Sequence, residues 1–129
     1  MLVVVGDRDR LAGDRDAKLI FRQTPQIPAT NKNYITLVTD RRGEPPLEAS
    51  HNTPVAPLEM PWYAPRGNSF CRIDALDWYG LWKLFDALTD AAFYGTNREY
   101  AFGNTPQQRF MGTWSDGIPV KELSIINEP

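Results

Sequence analysis

The apolar positions of this chain fall into three kinds of run. Leu2 to Val5 (LVVV) is a continuous β-branched stretch that ends at Gly6. A run with no polar alternation predicts a strand buried on both faces, as in a parallel sheet. The segment LAGDRDAKLIFRQTP follows, with Asp14 as the expected N-cap. Ala17, Leu19, Ile20 and Phe21 are its apolar contacts, and Pro25 is its stop. Tyr34 to Val38 (YITLV) is a second β-branched strand. Strand, helix and strand in succession predict a βαβ unit with parallel strands.

Beyond Thr39 the pattern changes. Residues 41–70 hold most of the prolines, with Leu47, Val55, Trp62 and Tyr63 as apolar anchors. This is expected to be an ordered, proline-pinned loop. Ile73 to Tyr94 then carries the clearest helical periodicity, with Leu76, Tyr79, Leu81, Trp82, Leu84, Phe85, Leu88, Ala92 and Phe93 on one side. Asp77, Lys83, Asp86 and Asp90 lie mainly on the other, and Gly95 is placed as a C-cap. The tail, NTPQQRFMGTWSDGIPVKELSII, is turn-rich and is expected to end in a short strand. The fold class is therefore α/β: a βαβ unit with parallel strands plus a long C-terminal amphipathic helix. A first strand buried on both faces needs neighbours on both edges. The chain is accordingly expected to be a single partial domain over residues 1–129, completed by a missing N-terminal part or by a partner chain.

Composition narrows the function. The chain has 129 residues, 42% of them hydrophobic, and a net charge of −2. An acidic balance of this kind does not suit a nucleic-acid or anionic-membrane binder, and no apolar run reaches the ~20 residues of a membrane span. Cys71 and His51 are the sole cysteine and histidine. They allow no internal disulfide and no usual Cys/His zinc site. Any imidazole chemistry must use His51.

Asp7, Asp9, Asp14 and Asp16 follow the first strand, and His51 follows the second. Loops after adjacent parallel strands emerge side by side. An acid from one can then hold the imidazole from the other in one tautomer and steady the imidazolium. Asp9 and His51 are the candidates. Asp7 is the rival acid, and Asp14 and Asp16 read as helix-start charges. Arg8 and Arg10 are expected to point outward.

The series LVVVGDRDRLAGDRDAKLI, NYITLVTD, ASHNTPVAP and the long helix resembles the C-terminal end of an α/β-hydrolase, over residues 1 to about 95. In Gly6-Asp7-Arg8-Asp9 the resemblance makes Asp9 the catalytic acid, and it makes His51 the base. It implies a serine hydrolase, most plausibly acting on small-molecule carboxylic esters, with no cofactor and no metal. Two departures stand out. The acid-to-histidine gap is long, because RRGEPPLEAS intervenes. There is also no G-x-S-x-G among Ser50, Ser69, Ser115 and Ser124. The resemblance thus implies a chain that supplies acid and base without a nucleophile, inactive or nearly so alone. Cys71 and Ser115 are set aside as nucleophiles. Trp62, Tyr63, Trp78, Trp82 and Trp114 read as core or acyl-pocket lining, with PWYAPRG and the long helix as pocket walls.

Two other readings stand beside this one. VVVGDRD also resembles the first motif of haloacid-dehalogenase-like phosphatases, with Asp7 as nucleophile, Asp9 as acid/base and magnesium between them. ITLVT imitates the second motif there. The third reading is a non-catalytic binding or assembly module.

Overall fold

The computed structural model describes residues 1–54 and 72–129. It shows a small mixed α/β fold: a three-stranded sheet with several helices. Strand β1 (Leu2–Gly6) leads through helix α1 (Arg15–Arg22) and a 3-10 turn (Ala29–Asn31) to strand β2 (Asn33–Leu37). β1 and β2 are parallel, with Val4 opposite Ile35, as the βαβ pattern predicts. The short β3 (Ser124–Ile126) adds antiparallel to the other side of β2.

The period-two alternation of β2 divides the core. Ile35 and Leu37 join Leu76, Leu84, Met111 and Leu123 on one face, with Leu2 and Val4 packed alongside. Tyr34 meets Phe21 of α1 edge-to-face at 6.0 Å. Asp14 takes the N-cap position of α1, but its side chain makes no cap bond; it pairs with Lys18 at 2.7 Å instead.

Three expectations need correction. Among the described residues β1 has one neighbour, β2, and it is half-buried along its whole length rather than buried on both faces. The Ile73–Tyr94 helix begins later and winds differently. A π-helical segment, Leu76–Trp82, precedes the α-helix α2, Lys83–Phe93. The wider π turn moves side chains off the 3.6-residue face. Phe85 and Phe93 consequently face solvent at 69% and 79% exposure, and Tyr79 is exposed.

Asp77, placed on the polar side by periodicity, is buried. It accepts the Asp74 N–H at 3.0 Å, while Asp74 accepts the Leu76 N–H at 2.9 Å, a reciprocal cap at the helix start. Gly80 lies within the π segment. A Cβ there would stand 2.6 Å from Leu37 Cδ2, so glycine lets the π segment lie directly on β2.

Short helices α3 (Arg98–Ala101) and α4 (Pro106–Arg109) follow. Gln108, fully buried, ties them to the start of β2 through Asn33 Oδ1 at 3.1 Å. Val55, Trp62, Tyr63, the PWYAPRG loop and Cys71 lie outside the described residues.

Candidate active site

The site forms where the loops leaving β1 and β2 cross. β1 ends at Gly6, and the Ala49 backbone passes straight over it. A Cβ at residue 6 would stand 2.3 Å from the Ala49 carbonyl oxygen. That carbonyl accepts the Arg8 N–H at 2.9 Å, fixing the histidine-bearing loop to the acid-bearing turn.

Asp9 sits in the turn. Its Oδ1 accepts the backbone N–H groups of Leu11 at 3.0 Å and Ala12 at 2.9 Å. Its Oδ2 lies 3.1 Å from His51 Nδ1. The carboxyl is held below its ordinary value, chiefly by the Ala12 N–H and further by the His51 bond, against a smaller opposing effect of burial. An ionised carboxylate can only accept, so Nδ1 carries the proton and Nε2 is the basic nitrogen when the ring is neutral. Among the described residues nothing hydrogen-bonds to Nε2, and the His51 side chain is 50% exposed against 15% for Asp9.

Asp7 has a different role. Its Oδ1 accepts the Thr39 hydroxyl at 2.5 Å and its Oδ2 accepts the Thr39 N–H at 3.1 Å. Thr39 Oγ1 accepts in turn the buried Ala49 N–H at 3.1 Å. This Asp7–Thr39–Ala49 relay sets the height of the histidine loop above the sheet. The rivalry between the two acids is thereby separated: Asp9 touches the imidazole, and Asp7 fastens the loop that carries it.

The long gap between acid and histidine also has a structural account. Asp40 and Leu47 pair as an antiparallel bridge, with both backbone bonds at 2.9 Å, so residues 41–46 leave and return at one point. The buried Asp40 carboxylate accepts the Trp114 indole N–H at 3.0 Å and the Lys121 N–H at 3.1 Å. Sequence reasoning missed Asp40. Its Oδ1 accepts the nearby Arg42 N–H at 3.1 Å, but the partners that bury it, Trp114 and Lys121, lie more than seventy residues away.

The remaining candidates are placed as follows. Asp16 lies in the first turn of α1. Arg8 and Arg10 are exposed and form no ion pair with Asp9 among the described residues. Ser115 occupies an exposed turn in which Gly117 N–H bonds Trp114 O at 2.9 Å. Trp114 lies over Gly43 and against the core, whereas Trp78 and Tyr79 face a groove with Phe110. Trp82 meets Trp78 edge-on at 4.4 Å. Beside the histidine loop, Ser50, Asn52, Asp74 and Asp77 line a cavity of about 240 Å³.

Comparison with models of known families, with curated proteins and with solved structures finds no match. No helix among the described residues is long and apolar enough to cross a membrane.

Proposed function

We propose that Asp9 and His51 are the orienting acid and general base of a serine hydrolase of the α/β-hydrolase kind, acting on carboxylic esters. The observation that carries this reading is the 3.1 Å contact between His51 Nδ1 and Asp9, with no partner on Nε2 among the described residues and the His51 side chain half-exposed. Nε2 would take the proton of a serine hydroxyl as that oxygen attacks the ester carbonyl. It would then return the proton to the leaving alcohol, while Asp9 stabilises the transient imidazolium. No serine, threonine or cysteine among the described residues bonds to Nε2. The nucleophile in this reading comes from a segment of the polypeptide upstream of β1.

The phosphatase alternative is less well supported. Both Asp7 oxygens accept from Thr39, which gives Asp7 the role of fastening the histidine loop. No cluster of three metal-ligating side chains forms among the described residues.

The coding DNA upstream of Met1 tests the proposal. The expected result is an open frame encoding G-x-S-x-G, whose serine in the extended protein reacts with a fluorophosphonate probe. Replacing His51 with Ala should suppress that labelling by about a hundredfold or more. A stop codon and ribosome site directly before Met1 would overturn the proposal.

A further inference from the structure

The aromatic groove beside the π segment carries an inference independent of the Asp9–His51 pair. It is a trough of about 660 Å³ lined by Trp78, Tyr79, Tyr100 and Phe110, with Pro106 and the Lys83 stem completing it. That volume lies within the range of small-molecule sites. Its rings are braced: Phe110 meets Tyr79 edge-on at 5.6 Å, and Trp82 meets Trp78 at 4.4 Å. The chain around Phe110 is fastened to the approach to β3. Arg109 O accepts the Leu123 N–H at 3.1 Å, and Gly112 O accepts the Val120 N–H at 3.0 Å. β3 and β1 flank β2 on opposite sides, so this wall stands away from the open edge of β1.

A smaller hollow adjoins the trough. It shares Lys83 and Tyr100 with it and is lined further by Asp86, Asp90 and Asn97. The charges there do not balance. The Lys83 ammonium donates to the carbonyls of Gln107, Gln108 and Phe110, and the Arg98 guanidinium donates to Thr30 O and Asn31 Oδ1. Asp90 accepts the Asn97 side-chain amide at 2.7 Å, a neutral partner. Asp86 has no hydrogen-bond or ion-pair partner among the described residues. An aromatic trough thus ends at two carboxylates that no cation of the described residues neutralises.

We propose that this groove binds a small organic cation with an apolar body, of the arylalkyl-ammonium class. The body lies among Trp78, Tyr79 and Phe110, and the cationic head meets Tyr100 and the carboxylates of Asp86 and Asp90. Aromatic rings attract a cation through their negative faces. The carboxylates supply the complementary charge, which selects a cation over a neutral or anionic molecule of the same shape.

Titration of the intact chain with benzyltrimethylammonium tests this, with benzyl alcohol as the neutral probe and benzoate as the anionic one. The readout is the indole N–H region of an NMR spectrum, where Trp78→Leu identifies the Trp78 signal. The expected result is a saturable shift of that signal with a Kd on the order of 1 mM, and binding of the other two probes weaker by about tenfold or more. Trp78 is 57% exposed and Asp86 is also exposed, so substitution at either leaves the core intact. Asp86→Asn should raise the Kd about threefold or more, and Asp86→Glu should restore it. Trp78→Leu should raise it about fivefold or more, followed through the line width of the probe itself. No saturable shift of Trp78 up to about 10 mM overturns the proposal. So does equal affinity for benzyl alcohol or benzoate, or an affinity indifferent to both Asp86→Asn and Trp78→Leu.

Discussion

The Ala49 carbonyl oxygen occupies the space that a side chain at Gly6 would need, 2.3 Å from an ideal Cβ. The glycine is thus set by the approach of the histidine loop. Gly6→Ala should force that backbone outward and cost about 1–3 kcal/mol, the usual range for overpacking a tight contact. Denaturant unfolding measures the loss. Displacement of the His51 ring signals in an NMR spectrum would show that the loop, and not only the strand, has moved.

Because His51 is the sole histidine, its imidazole nitrogens can be observed without assignment. At a pH where the ring is neutral, nitrogen-15 shifts should report a proton on Nδ1. Asp9→Asn should reduce that preference, since an amide can donate to the ring as well as accept from it. A wild-type ring carrying its proton on Nε2 would contradict the acid–base assignment.

Thr39→Val removes the hydroxyl between Asp7 and the Ala49 N–H. A carboxylate oxygen and a buried amide each lose a partner, and the expected cost is about 1–3 kcal/mol. Thr39→Ser keeps the hydroxyl and should recover most of it. Urea melts of the two variants, with the Nδ1–Asp9 signature followed in parallel, separate a positioning effect from general destabilisation.

The depressed Asp9 carboxyl gives a signed pH dependence. Its folded value lies below the ordinary 3.8, so its contribution is fully present above that value and is lost as pH falls through the folded one. The stability gap between wild type and Asp9→Asn should hold from neutral pH down to about 4 and close below it. Unfolding midpoints across that range provide the measurement.

Lys83 acts with the opposite sense. Burial lowers it from 10.5 to about 8, although its ammonium donates to the carbonyls of Gln107, Gln108 and Phe110 at 3.2, 2.8 and 2.5 Å. Between about 8 and 10.5 the unfolded chain holds a proton that the folded chain has released. Stability should therefore rise with pH across that window. Lys83→Met should remove the rise, as alkaline melts would show.

The sheet was legible because β-branched runs need no partner to be recognised, and the LVVV and YITLV strands pair in parallel as expected. His51 was legible because it stands alone, and Asp9 because a turn after a strand points at the next loop. The π segment was not legible. Its winding differs from an α-helix by about one residue per turn, and over LDWYGLW the apolar pattern fits either. What selects it is the close seat of Gly80 on Leu37, a long-range contact. The burial of Asp77 and the service of Asp7 to Thr39 were hidden likewise, because a carboxylate's partner is not written beside it.

The bridge between Asp40 and Leu47 has a wider consequence. Chain spacing between an acid and its histidine is a measure along a thread, and residues 41–46 form a closed bight in that thread. The bight can lengthen or shorten beyond Gly43, which Trp114 covers, while the anchor points hold. Tolerance to insertion should be concentrated there. A search for relatives that fixes the number of residues between Asp9 and His51 would discard chains built on the same geometry.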